Sequence, residues 1–237
     1  MLQVDEVSAG YGNLHILTEL TVKAEAREVT VIVGPNGSGK STLLKTIAGL
    51  TSVYQGKILL DGQPITKLPP HEIAHKGLAY LPQTESVFTM LTVAENIKMA
   101  GYTIPTTEID GRLQGIIKMF PQIEKYMKTR VQNLSGGERQ MVAMSMALLR
   151  NPSVIMFDEP TANLSPKLAT QVLDTVRAVA KDLGLTVLLV EQNAKRALEM
   201  GDKAYLLVGG RRVFEGAAKD LLTHAELAQM YLGLKAA

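Results

Sequence analysis

Two runs of the chain are apolar without alternation, VTVIV at Val29–Val33 and TVLLV at Thr186–Val190. Both have strand length, and a strand with no polar face is covered on both sides, which predicts a mostly parallel sheet. SVIMF at Ser153–Phe157 reads the same way. Short β-rich segments open the chain, LQVDEVSAGYG and then LTVKA, and in GKILLDGQPI the pair Asp61-Gly62 is a hairpin signal. A helix is predicted from Lys40 to about Leu50. From about Thr84 to Arg150 the texture turns helical, with Thr92-Val93-Ala94-Glu95 fitting a capping box. Ser165-Pro166 caps a further helix to about Leu183, with Gly184 just past its end. Another helix runs through Met200, AYLLVGGRRVFEG turns at Gly209-Gly210, and KDLLTHAELAQMYLGL forms two short helices.

Strands alternating with helices imply a parallel α/β core, here with an N-terminal antiparallel β part and an inserted helical subdomain. One domain of residues 1–237 is expected. Residues 1–83 and 151–237 form its core and residues 84–150 the helical subdomain. Eight of the 11 Met lie between Met90 and Met156. Most are expected in the core, with a docking role placed near Phe88–Met99.

Composition narrows the classes. The 25 Lys+Arg against 23 Asp+Glu leave a net charge of +2, which gives no broad basic field and argues against nucleic acid as a partner. There is no cysteine, so disulfides and thiolate metal sites are excluded. The start of the chain lacks the basic end and apolar run of a signal peptide, and no apolar run nears the roughly 20 residues that span a bilayer. A soluble protein is expected, whose membrane role would come through a partner.

Three segments carry chemistry. Gly34-Pro35-Asn36-Gly37-Ser38-Gly39-Lys40-Ser41 matches the phosphate-binding loop, between a predicted strand and a predicted helix. Its glycines let successive N–H groups face phosphate oxygens, with the helix offering its positive end. Lys40 would reach the outer phosphates, and Ser41, followed by Thr42, would ligate Mg²⁺. Asp158-Glu159, at the end of a buried strand, supplies a carboxylate for Mg²⁺ and a second that can act as general base. Leu134-Ser135-Gly136-Gly137-Glu138 precedes a helix whose apolar face includes Met141, Ala143, Met144, Ala147 and Leu148. Ser135 is expected as its N-cap, and the exposed serine and glycines also make an anion site. One γ-phosphate needs no second such site, unless it serves a nucleotide held by another chain.

In that order these motifs resemble the nucleotide-binding subunits of ABC transporters, over essentially the whole chain. The LSGGE segment argues against a plain GTPase or kinase. The resemblance implies ATP and Mg²⁺. It makes Tyr11 the aromatic side chain that stacks on adenine, and Gln83 in AYLPQ the glutamine that senses Mg²⁺ and the transmembrane partner. It further implies two subunits clamping two ATP head to tail, with Ser135 and Gly137 of one facing Lys40 of the other, and hydrolysis through Glu159. Two positions depart from the family pattern. Ser165 stands where an Asp usually bridges the subunits, and Gln192 stands where a switch histidine is usual. A glutamine amide can donate to a γ-phosphate but cannot carry charge, so slower or partner-dependent hydrolysis is expected.

LVEQNAKRAL and the ending YLGLK resemble the second ATPase of branched-chain amino-acid importers, which pairs with a different ATPase. Importers for urea and short amides share these strings, and the compact RVQNLSGG departs from the expected longer lead-in. The implied partners are two transmembrane permease subunits, a paralogous ATPase or a second copy, and indirectly a solute-binding protein. The implied place is peripheral, on the cytoplasmic face of the cell membrane. An exporter motor stays open as an alternative, although exporters usually keep the histidine. A non-transport ABC ATPase does too, although those usually carry two cassettes or a long coiled coil.

Overall fold

The computed structural model describes residues 1–84 and 86–233. Two sheets hold the chain together. In the antiparallel one, β1 (Leu2–Tyr11) lies between β2 (Leu14–Ala24) and β4 (Ser52–Leu60), with β5 (Gln63–Pro64) at the edge. The other has six strands in the order β10 (Arg211–Ala217), β9 (Lys203–Val208), β3 (Val29–Val33), β8 (Thr186–Val190), β7 (Val154–Asp158) and β6 (Leu78–Leu81). Its pairings are parallel except for the β9–β10 hairpin. This is the expected α/β architecture with an N-terminal antiparallel part.

The unbroken apolar runs are explained by two cores that share one sheet. Along β8, Leu188 and Val190 face the layer that contains β1, β2 and helix α1 (Lys40–Ile47), while Val187 and Leu189 face the other side. β7 divides likewise, Met156 to one core and Phe157 to the other. Such strands have no solvent face to carry polar residues. Each fully buried aliphatic side chain is worth about 1.5–3 kcal/mol, so the central strands are the most strongly held.

Short α2 (Pro70–His75) precedes β6. Between β6 and β7 the chain is helical, through α3 (Val93–Ala100), α4 (Thr106–Met119), α5 (Pro121–Tyr126) and α6 (Gly136–Leu149). The capping box at Thr92 is present, with Glu95 N–H donating to the Thr92 hydroxyl and Thr92 N–H to the Glu95 carboxylate. Met144 and Met156 are buried and Met119, Met127, Met141 and Met146 lie against the core, whereas Met90 and Met99 are exposed. Helices α7 (Pro166–Lys181), α8 (Ala194–Met200), α9 (Ala218–Thr223) and α10 (Ala225–Leu232) complete the fold. Of the ending YLGLK, Leu234 and Lys235 lie outside the described residues.

Two helix ends differ from the sequence reading. Helix α1 stops at Ile47 rather than near Leu50, because Gly49 takes φ +75° and Leu50 N–H turns back to the Lys45 carbonyl, a Schellman closure. Helix α7 ends at Lys181, short of Leu183. Ser165 is its N-cap by position, but its side chain makes no capping hydrogen bond. The Asp61-Gly62 turn holds: both residues have positive φ, +48° and +78°, as a type I′ hairpin turn requires.

Candidate functional site

The loop from Gly34 to Gly39 joins the end of β3 to α1, and Gly34, Gly37 and Gly39 carry φ of +151°, +77° and +97°. Residues with a Cβ rarely adopt these angles. Lys40 begins the helix and is buried, its ammonium donating to the carbonyls of Gly34 (2.9 Å) and Pro35 (3.0 Å). Burial pushes its pKa down, while the carboxylates of Glu159 and Asp158 work the other way. Pro35, Asn36 and Gly37 are exposed, and the buried Ser38 hydroxyl has no partner among the described residues.

The sheet order brings the acidic pair alongside. Asp158 ends β7, almost fully buried, and its two carboxylate oxygens accept from the Ser41 hydroxyl (2.9 Å) and the Tyr80 hydroxyl (3.1 Å). Burial and the Asp158 carboxylate raise the pKa of Tyr80, so the phenol remains a donor at any physiological pH. Tyr11, exposed at the end of β1, lies near enough to Tyr80 to add to that shift. Glu159 leaves the sheet with φ +49°, its N–H donating to the Val190 carbonyl at 2.9 Å. A left-handed conformation in a residue with a Cβ costs about 1–2 kcal/mol, and such strain concentrates at functional sites. Gln83, just past the edge strand β6, donates its amide to Glu159 Oε2 at 3.1 Å. Thr42 follows Ser41 in the first turn of α1, and its carbonyl accepts from Thr46.

Gln192 is exposed just beyond β8 and lines, with Glu159, Ala162 and Arg196, a cavity of about 340 Å³. It does not start α8; Asn193 caps that helix, accepting from Arg196 N–H. Lys40, Ser41, Asp158, Glu159 and Gln83 therefore converge, with Gln192 beside Glu159.

Ser135, Gly136, Gly137 and Glu138 stand apart. No hydrogen bond among the described residues joins them to the phosphate loop. Ser135 and Glu138 cap α6 reciprocally, and the Tyr126 hydroxyl, with Ser135, holds the Glu138 carboxyl below its ordinary pKa. Arg139 ties the short turn before them by donating to the Leu134 and Gln132 carbonyls. Ser135 and Gly136 stay exposed. Of the expected apolar face of α6, Ala143 and Met144 are buried, and Met141, Ala147 and Leu148 are half-buried at its flank.

Two residues at the site had no role in the sequence reading, Tyr80 and Glu191. Glu191 is buried directly after β8, and Thr161 N–H donates to its Oε1 at 3.1 Å. Burial raises its pKa, the hydrogen bonds from Thr161 and the Gln192 backbone lower it, and Glu159 raises it further. The available signal was its place: an ionisable residue ending a buried strand, like Asp158.

Oxygen donors beside a phosphate loop suit a hard cation such as Mg²⁺, which keeps several waters and leans on substrate phosphates. No group of three acidic or histidine side chains that could hold a metal alone occurs among the described residues. Nor is any described helix long and apolar enough to cross a membrane.

Comparison with known proteins agrees with this geometry. A family model described as ABC transporter matches residues 17–162. The probable branched-chain amino acid transport ATP-binding protein LivF of Archaeoglobus fulgidus is 49% identical, over 99% of both chains. The high-affinity branched-chain amino acid transport ATP-binding protein BraG of Pseudomonas aeruginosa is 35% identical, over 98% of this chain and 100% of its own. A nucleotide-free ATP-binding cassette from an ABC transporter superposes with a TM-score of 0.86 at 26% identity, covering 97% of each chain. With the phosphate loop, the LSGGE segment and the Asp158-Glu159 pair all inside the matched span, the chain belongs to the ABC transporter family and is one of its ATP-binding ATPase subunits.

Proposed function

We propose that this chain drives a branched-chain amino-acid importer from the cytoplasmic face of the cell membrane. It works there with a second, paralogous ATPase or a second copy, on two transmembrane permease subunits supplied by a solute-binding protein. The observation that carries the reading is the convergence of Ser41, Asp158, Glu159 and Gln83 beside Lys40, joined to full-length similarity with LivF.

In this reading Lys40 and the backbone N–H groups of the Gly34–Thr42 loop, all but that of Pro35, which has none, bind the phosphates, and Tyr11 stacks on adenine. Ser41, Gln83 and Asp158 would hold Mg²⁺, which would neutralise charge on the outer phosphates. Glu159 takes the proton of the attacking water. Gln83 already donates to Glu159 Oε2, which fixes the carboxylate and leaves Oε1 to act as the base. Gln192 donates its amide to the γ-phosphate. Ser135, Gly136, Gly137 and Glu138 cover the nucleotide of the partner ATPase, and their separation from this chain's own loop supports that division.

The helical unit of residues 84–150, set on the core of residues 1–83 and 151–237, is the part we assign to permease contact. Phe88, Met90, Met99 and Tyr102, large apolar side chains exposed within one short stretch of that unit, support this.

The test is a mild-detergent pull-down of the tagged chain from its native membranes, with companions identified by mass spectrometry. Two permeases, a distinct ATPase and a solute-binding protein are expected. Recovery with ribosomes, with DNA-associated proteins or alone would remove the transport role. At the residue level, Gln192→Ala lowers kcat about tenfold, the loss of one hydrogen bond to charge, measured by phosphate release. An unchanged rate would remove Gln192 from the site.

A further inference from the structure

Glu191 is a buried ionisable side chain that the chemistry above does not use. Its exposure is 3%. Burying a carboxylate there is costly, and an apolar side chain of similar size would fill the same space without desolvation. What the carboxylate does is visible in its bond: Oε1 accepts from Thr161 N–H at 3.1 Å.

The ladder between β7 and β8 ends at the pair Asp158 and Val190. Beyond it, one further backbone bond joins the two segments, from Glu159 N–H to the Val190 carbonyl. From there the chain runs through Glu159 at φ +49° and Asn163 at φ +61° before α7 begins. The Glu191 carboxylate bonds this segment where the ladder has given out.

The far end of the same segment touches the second motif. A Cβ on Gly136 would lie 2.9 Å from Leu164 Cδ2, and one on Gly137 would lie 3.0 Å from Leu168 Cδ2. The segment from Glu159 to Leu164 therefore begins at the acidic pair and ends against the glycines of Leu134–Glu138.

We infer that Glu191 is a positioning residue for hydrolysis: it clamps the 159–164 segment to the strand end that carries Gln192. Glu159 and Gln192 then hold a fixed relation to each other, and Leu164 stays seated on Gly136. The inference rests on the reading of Glu159 as general base.

Length, not charge, is what the clamp needs. Gln keeps the reach and one accepting oxygen, whereas Asp keeps the charge and is one methylene short. The experiment compares the wild-type chain with Glu191→Gln, Glu191→Asp and Glu191→Ala, reading kcat and KM for ATP hydrolysis, Kd for a fluorescent ATP analogue, and Tm. A misplacement near 1 Å can cost up to about a hundredfold in rate. We expect Glu191→Asp and Glu191→Ala to lose about tenfold or more in kcat with Kd within about twofold of wild type, because Lys40 and its loop are untouched. Glu191→Gln keeps at least about half of kcat. If the Ala variant does not fold, the Asp and Gln pair decides alone. Wild-type kcat in Glu191→Asp, an equal fall in Glu191→Gln, or a loss of kcat accompanied by matching losses in affinity and Tm would overturn the positioning role. Glu159→Gln is the control: if it hydrolyses ATP normally, the reading of Glu159 fails first. If it is inactive while Glu191→Asp is normal, only the clamp fails.

Discussion

Glu159→Gln lowers kcat for ATP hydrolysis by about a hundredfold or more and leaves ATP affinity nearly unchanged. The magnitude follows from the worth of a positioned general base, about 10²–10⁴ in rate. Affinity is spared because the groups that bind phosphate are held by hydrogen bonds of their own. Lys40 is held by the Gly34 and Pro35 carbonyls and Ser41 by Asp158, none of which involves Glu159 directly. A glutamine keeps the volume and an oxygen that can accept from Gln83, so the local geometry persists while basicity is lost. In the paired arrangement proposed above, stopping hydrolysis should accumulate the ATP-bound pair, read by size-exclusion chromatography with ATP and Mg²⁺ as a dimer of this chain with its partner ATPase or with a second copy. A variant that binds ATP poorly would make Glu159 a binding residue, and a variant with normal turnover would place the base elsewhere.

Gly210→Ala has the largest expected effect on stability, about 3 kcal/mol or more, well above the roughly 1 kcal/mol typical of point changes. Gly210 has φ +75°, and a Cβ there would lie 1.8 Å from the Ile16 carbonyl oxygen. That oxygen belongs to β2, so relief requires one sheet to move away from the other. The same residue accepts from Thr18 N–H and donates to the Ser38 carbonyl, which makes it a rest for the phosphate loop as well as a seam between sheets. At about 2–4 °C per kcal/mol for a chain of this size, Tm should fall by roughly 6–12 °C or more, with weakened ATP binding alongside. Gly209→Ala is the control. It shares the positive φ, at +54°, but a Cβ there meets nothing within 4 Å, so only the left-handed strain of about 1–2 kcal/mol applies. Equal losses at both positions in a melting experiment would show that the close approach does not matter.

That contrast also marks where sequence reading stops. Gly209-Gly210 is legible as a hairpin turn, because turn chemistry is local. That only the second glycine is wedged against β2 depends on how two sheets meet, and no local pattern encodes it. The buried strands were legible from Val29–Val33 and Thr186–Val190 because covering both faces removes polar residues. Their order was not, since β3 takes its neighbours from far along the chain. The phosphate loop, Asp158-Glu159, the capping box at Thr92 and the N-cap at Ser135 each lie within a few residues and are legible directly. Tyr80 and Glu191 are not, because their role is a bond to a residue on another strand or loop. The end of α1 was misplaced for the reverse reason. Lys45 to Leu50 looks helix-compatible, and Gly49 in the left-handed conformation overrides it.

The strand order also bears on synthesis. Residues 29–33 emerge from the ribosome early, yet their partners are residues 186–190 and 203–208. Translation proceeds at about 5–20 residues per second, so the central strand waits many seconds for either neighbour. The seat under Ser38 comes later still, with Gly210. A nascent chain can therefore hold no finished nucleotide site until nearly all of it has been made, and ATP can stabilise the newborn protein only at the last step. Until then two apolar strand edges stay open, a hazard for slow non-local pairing, and a chain truncated before residue 203 should be insoluble rather than merely inactive.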